Sequence, residues 1–373
     1  MRTEAPAPPS SPRNGASHDY AANLEMIQEA RGRIAPYASQ TPVHRCATID
    51  ALMRPTTNVD PELPHEPINI FFKCETFQKG GAFKFRGAMN AVLTLGDSAK
   101  EKGVVTHSSG NHAAALALAA KTLQIPAYIV VPTGAPQCKL NAIATYGGVV
   151  TRCAATVDAR VAAAEKIRRE TGASLIPPYD HPDVIAGQGT IGLEFLEQVP
   201  NLDCVVVPVS GGGMLSGIAL AVKAINPNCL VYAAEPGGSM GNRADCAESK
   251  LRGTMVTDWM PPDTIADGLR AKLGDLTWPI VRDKVDHVFV VSDAEIVNSM
   301  RMIFERMKLV VEPSGAAGLA AVLSDDFAAH NAKHAKWGKT TRCQKIGVVL
   351  CGGNVDLDAL WSALERQAGI SNK

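Results

Sequence analysis

The sequence predicts an α/β protein with mostly parallel, twisted sheets flanked by helices. Three observations predict it. Apolar strands such as Cys204–Val209 and Ile346–Leu350 run unbroken by charge. Strands buried on both faces read this way, whereas half-solvated strands alternate apolar with polar residues. Such runs alternate with helical patterns along nearly the whole chain, the order that parallel crossovers require. Three strands also end in small-residue turns that open helices, where parallel sheets bind their ligands.

Taken in order, an amphipathic helix is expected over Tyr20–Ile34 and is stopped by Pro36. Residues Met53–Pro67 carry four prolines, an asparagine and three acids, so they form an exposed loop. A strand over Ile68–Phe72 precedes a helix over Arg86–Leu95. Short strands follow at Gly103–Val105, Ala127–Val131 and Val149–Thr151, with helices at Asn111–Thr122, Lys139–Tyr146 and Asp158–Thr171. A helix at Gly189–Val199 leads to the strand Cys204–Val209, and the next strand is Leu230–Ala234. Asn242–Met260 is polar and is expected to be irregular. The chain closes with a strand at His287–Val291, helices at Asp293–Met307 and Gly315–Leu323, and the strand Ile346–Leu350. No internal repeat is present. The alanine-rich residues 75–175 are read as a small domain inserted into a large one made of 21–74 and 176–373, after a disordered tail over 1–20.

The 373 residues carry no formal net charge. That provides no basic field to attract phosphates and argues against a nucleic-acid partner. No apolar run is long enough to span a bilayer. The nine cysteines include no Cys-x-x-Cys pair, and several lie in apolar runs. This usage suits buried thiols in a reducing, cytoplasmic compartment.

The stretch that organises the chain is Phe71-Phe72-Lys73-Cys74-Glu75-Thr76-Phe77-Gln78-Lys79-Gly80-Gly81-Ala82-Phe83-Lys84-Phe85-Arg86-Gly87-Ala88. A glycine pair lets backbone approach a ligand. Lys84 then stands between two phenylalanines, a setting that disfavours its ammonium form as a Schiff-base lysine requires. The plain alternative is a surface lysine opening a helix.

Three loops share the strand, small-residue turn and helix design: Thr106–His112, Val209–Met214 and Leu350–Asn354. Each exposes backbone N–H groups that suit an anion. Two such loops suit a ligand with a phosphate and a carboxylate. The second has a rival reading. Gly211-x-Gly213 after a strand, with Glu235 closing the next strand, is a partial dinucleotide-binding pattern. Its third glycine, Gly217, comes one place late, and a nicotinamide site would leave the Lys84 stretch without a role.

The Lys84 stretch, Ser108-Ser109-Gly110-Asn111-His112, the glycine loop, Glu312-Pro313-Ser314-Gly315 and Cys351-Gly352-Gly353-Asn354 stand in the order found in fold type II pyridoxal-phosphate enzymes. Over residues 22 to 365 the chain resembles the serine racemase and serine/threonine dehydratase family of that tryptophan synthase β-like group. Phe71–Glu75, Thr264–Gly268 and Gly352–Leu357 favour the racemase branch.

The resemblance implies a two-domain enzyme, a homodimer, that uses pyridoxal 5'-phosphate. Lys84 forms the internal aldimine and is catalytic. Ser210, Gly211, Gly212, Gly213 and Met214 cradle the phosphate, Asn111 meets the ring hydroxyl, and Cys351 faces the ring nitrogen. Ser108, Ser109, Asn111, His112 and Arg160 surround the substrate, with Ser109 as the second catalytic group. Glu235 and Asp245, with the Arg243 carbonyl, hold Mg²⁺ or Ca²⁺, oxygen donors that such cations take.

The expected activity is interconversion of L- and D-serine, with elimination of serine or threonine to 2-oxo acid and ammonia. The alternative is a serine, threonine or 3-hydroxyaspartate dehydratase that racemises little. The chain departs from the family at Ala82 and Ala271, where serines are common. It also departs at Ala114, which replaces a glutamine of the animal enzyme's nucleotide site, and in a longer segment at 237–243.

Overall fold

The computed structural model describes residues 20–53, 68–108, 110–134, 137–237, 245–336, 343–358, 360–361 and 365. Nearly all of the tail over 1–20 and most of the loop over 53–67 lie outside them. Among the described residues ten strands form two sheets. They are β1 (Val43–His44), β2 (Asn69–Cys74), β3 (Val104–Thr106), β4 (Ala127–Pro132), β5 (Val149–Cys153), β6 (Ser174–Leu175), β7 (Cys204–Pro208), β8 (Leu230–Pro236), β9 (His287–Val291) and β10 (Lys345–Leu350).

The larger sheet has the order β1-β2-β10-β7-β8-β9, and the smaller has β5-β4-β3-β6. Every pairing is parallel except that of β1 with β2. Alternate residues of the large sheet enter opposite cores. Val206, Tyr232, Phe289 and Val348 join one, while Val205, Val207, Val231 and Val349 join the other. A sheet with two buried faces favours apolar residues on both, which is why its central strands read as nearly continuous apolar runs. The small sheet does the same with Val104, Ile129 and Val131 on one face and Val105 and Val130 on the other.

Several elements differ from expectation. The helix expected to begin at Gly189 begins at Pro182 and runs to Gln198. Its early glycines fill close crossings. A Cβ on Gly187 would lie 2.7 Å from Gly87 Cα, and one on Gly189 would lie 2.9 Å from the Gly217 carbonyl. Tertiary packing therefore outweighs the poor helix propensity of glycine. The segment after Glu235, expected to be irregular, contains a helix at Asp245–Arg252 with acids in its first turn and bases in its last, the arrangement the helix dipole favours. Helices at Thr277–Lys284 and Asp325–Lys336 were not expected. No helix among the described residues is long and apolar enough to cross a membrane.

The carboxyl ends of β2, β3, β7 and β10 lead into the four motif segments. Parallel strands point these ends the same way within a sheet, and there the chemistry-bearing residues meet.

Candidate active site

Lys84 opens the helix Lys84–Leu93. The Phe83 N–H donates to the Cys351 carbonyl at 3.0 Å, which ties the helix start to the end of β10. The Lys84 side chain is partly buried, and its Nζ donates to the Pro178 carbonyl at 2.6 Å. Burial pulls its pKa down to about 8, against the opposing influence of Cys351 and Glu312. Of the two flanking phenylalanines, Phe83 lies at the amine, with its ring centre 5.0 Å from Nζ. Phe85 packs into the small-sheet core. An aromatic face favours the ammonium, so here desolvation is the stronger influence.

The glycine loop follows β7. Gly212 takes φ +89°, and a helix begins at Gly213. Side chains are excluded from this turn. A Cβ on Gly211 would lie 2.4 Å from the Tyr179 ring, and one on Gly213 would lie 2.8 Å from the Tyr179 carbonyl. The turn is braced by Ser210 Oγ, which accepts from the Ala271 N–H at 2.9 Å, and by Thr277 Oγ1, which donates to the Gly211 carbonyl at 2.8 Å. Met214 is buried in the first turn of the helix. Bare backbone at the start of a helix of thirteen residues is an anion cradle, so these residues fit a phosphate.

Cys351 is buried at the end of β10, and burial first, then Glu312, raises its thiol pKa well above normal. It is a neutral thiol, as a partner for an unprotonated ring nitrogen needs to be. Asn111 Nδ2 donates to Glu312 Oε1 at 2.7 Å, and Asn354 Nδ2 donates to Asn111 Oδ1 at 3.0 Å. His112 is buried, with Nε2 2.9 Å from the Ile176 carbonyl. Nε2 therefore carries the proton and donates it, and Nδ1 is a buried acceptor with no hydrogen-bond partner among the described residues. Burial lowers the His112 pKa to about 3, and Lys84 adds to the effect. This imidazole stays neutral across the physiological range and is a hydrogen-bonding group rather than a base.

Ser108 is half-buried and accepts weakly from the Gly110 N–H at 3.5 Å. Arg160 lies near His107 and Tyr179, acting on both electrostatically, and its Nε is buried with no hydrogen-bond partner among the described residues. Ser109 lies outside the described residues.

Glu235 closes β8, and its two oxygens accept from the Cys246 and Ala247 N–H groups, each at 2.8 Å. Burial raises it to about 7 despite those bonds, and Asp245 adds to the rise. Asp245 Oδ2 accepts from the Leu273 N–H at 2.6 Å, the Ser249 side chain also acts on this carboxyl, and Oδ1 is buried with no hydrogen-bond partner among the described residues. Arg243, the third expected ligand, lies outside the described residues. Two adjacent buried carboxyl groups suit a hard cation.

Two features escaped the sequence reading. Glu312 was noticed only as part of a motif, yet its carboxylate lies among Lys84, Asn111 and Cys351. Residues 178–180 form a strap. Pro178 accepts from Lys84, Tyr179 covers Gly211, and Asp180 Oδ1 accepts from the Leu276 and Thr277 N–H groups at 2.9 and 3.2 Å. The Pro-Pro-Tyr-Asp run signals a turn, but not these contacts.

Comparison with known proteins gives a consistent picture. Residues 35–352 match the family model described as "Pyridoxal-phosphate dependent enzyme". A serine racemase of Oryza sativa subsp. indica is 50% identical over 352 residues, covering 94% of this chain and 96% of the rice protein. The structure of maize serine racemase superposes with a TM-score of 0.83 at 49% identity, covering 94% of this chain and 99% of the maize chain. The crystal structure of a T.th. threonine deaminase gives a TM-score of 0.77 at 37% identity, covering 90% of this chain and 99% of the deaminase chain.

Proposed function

The chain belongs to the pyridoxal-phosphate dependent enzymes, and from that premise we propose that it interconverts L- and D-serine, with elimination of serine or threonine to 2-oxo acid and ammonia as a second activity. The observation that carries this reading is a half-buried lysine amine of lowered pKa that lies near a neutral thiol and donates to the Pro178–Tyr179 strap packed on a side-chain-free anion turn. Similarity to serine racemases over nearly the whole chain supports the choice of substrate. The likeness to a threonine deaminase supports elimination as the companion reaction.

When bound, pyridoxal phosphate acidifies the amino acid's Cα–H by drawing off the electron pair. Ser210, Gly211, Gly212, Gly213 and Met214 would hold its phosphate through backbone N–H groups. Asn111 would meet its ring hydroxyl and Cys351 its ring nitrogen. The low pKa leaves Lys84 partly unprotonated near neutrality, so its Nζ can accept the Cα proton on one face. Ser109 is assigned to the opposite face, where its hydroxyl returns a proton. Ser108, Asn111 and the neutral His112 orient the substrate carboxylate, with Arg160 completing the anion's surroundings. Glu235, Asp245 and the Arg243 carbonyl are assigned to a divalent cation, Mg²⁺ or Ca²⁺. We read the two sheets as the cores of a large and a small domain, and the active unit as a cytoplasmic homodimer.

Pure protein incubated with L-serine is expected to yield D-serine together with pyruvate. Pyruvate without D-serine would leave only the dehydratase reading. In Ser109→Ala, racemisation should fall by about 10²-fold or more while L-serine elimination falls much less. Equal losses would give Ser109 a purely structural role. Exhaustive chelation should lower both the melting temperature and the activity, and Glu235→Ala should reproduce the effect without chelator. Unchanged melting and turnover after chelation would remove the cation from the account.

A further inference from the structure

Four charged side chains lie buried beneath the Lys84 helix and have no part in the chemistry described so far. Lys73 comes from β2, Glu75 directly follows that strand, Arg86 lies in the first turn of the Lys84 helix, and Glu194 lies on the helix Pro182–Gln198. The first three are fully buried and Glu194 nearly so. Arg86 Nε and Nη2 donate to the two oxygens of Glu75 at 2.8 and 2.9 Å. Its Nη1 and Nη2 donate to the two oxygens of Glu194 at 2.6 and 2.8 Å. One guanidinium thus forks onto two carboxylates, and Nη1 adds Thr190 Oγ1 at 3.2 Å. Lys73 Nζ donates to Glu194 Oε2, Gln198 Oε1 and the Thr41 carbonyl, each at 2.8 Å. Two cations and two anions balance.

Stability alone explains this cluster poorly. Buried ion pairs gain little over apolar packing of equal volume, because desolvation offsets their attraction. What they supply is direction. The planar fork of arginine fixes both distance and orientation against a carboxylate. Arg86 follows Lys84 by two residues, about 200° around the helix axis. When Arg86 is clamped inward, Lys84 faces the other way, toward Pro178 and Cys351. The carboxylate that acts on the Lys84 amine is Glu312, which lies outside the cluster. Arg86 and Lys84 share the first turn of one helix, so the clamp on Arg86 bears on Lys84 through helix geometry.

We infer that Arg86, held between Glu75 and Glu194, is a positioning residue that sets the rotation of the first helical turn and so aims Lys84 Nζ at the cofactor and the substrate Cα. The inference rests on the assignment of Lys84 under the proposed function. Its test compares the holoenzymes of wild type, Arg86→Lys and Glu194→Gln. Four quantities are read: melting temperature, cofactor released by alkali, the share of cofactor that borohydride fixes to the Lys84 peptide, and kcat and KM for L-serine. Arg86→Lys keeps the charge and loses the fork. It should retain most of its cofactor and a near-normal KM, while kcat and the fixed share fall by about tenfold or more, since small misplacements of a reacting group are costly. Glu194→Gln, which leaves the Glu75 fork, should show a smaller fall in the same two quantities.

If melting drops while kcat and the fixed share stay within about twofold of wild type in both variants, the cluster is structural and the inference is overturned. Loss of soluble fold in both variants overturns it as well. A wild type that fixes no cofactor overturns the Lys84 assignment itself, and this inference with it.

Discussion

Lys84→Ala is expected to abolish racemisation and elimination together, with a loss of about 10³-fold or more in each. Both reactions begin with removal of the same Cα proton, and Lys84 is the group assigned to remove it. The variant should still fold. Removing the amine leaves the Pro178 carbonyl without its 2.6 Å donor, at a cost of about 1 kcal/mol or slightly more. The helix start keeps the bond from the Phe83 N–H to the Cys351 carbonyl.

The pH dependence of cofactor capture gives a second handle on the same amine. Burial sets the Lys84 pKa at about 8. An amine attacks only when unprotonated, so about a tenth of the protein is competent at pH 7 and half at pH 8. Capture by cofactor-free protein should therefore rise steeply between those values and level off above pH 9, whereas an ordinary surface lysine would still be gaining there.

Gly211→Ala should weaken cofactor binding by about tenfold to a hundredfold. The added methyl carbon would sit 2.4 Å from the Tyr179 ring. Tyr179 cannot withdraw freely, because Pro178 before it accepts from Lys84 and Asp180 after it accepts from two backbone N–H groups. The overpacking penalty of about 1–3 kcal/mol thus falls on the turn and the strap at once. Gly32→Ala is the matched control, since a Cβ there meets nothing within 4 Å. Titration of each apoprotein with pyridoxal phosphate, followed by absorbance, checks the difference. Equal affinity of Gly211→Ala and wild type would mean that the turn does not carry the phosphate.

Much of this site was legible in the sequence, for a physical reason. Parallel strands buried on both faces are largely apolar, so Cys204–Val209 and Ile346–Leu350 stand out in the sequence, and with them the loops at their carboxyl ends. Lys84 was legible because glycines and aromatics beside a lysine are unusual for a solvated helix start. What was not legible depends on partners far away in the chain. Arg86 meets Glu194 across 108 residues, and nothing near either residue announces the other. The turns of the helix Pro182–Gln198 before Gly189 lie outside the expected helix; Gly187 there has poor helix propensity, and only the crossing helix against it, far away in the chain, offsets that. The site of Tyr179 was hidden for the same reason. Its ring matters through Gly211, a residue that the sequence shows only as a gap.

The most direct test is borohydride reduction of the purified holoenzyme, followed by peptide mass analysis. The expected result is a visible-violet absorbance band that disappears on reduction, and one pyridoxyl-phosphate adduct on the peptide carrying Lys84. A colourless protein unaltered by added cofactor, or an adduct on any other lysine, would contradict it.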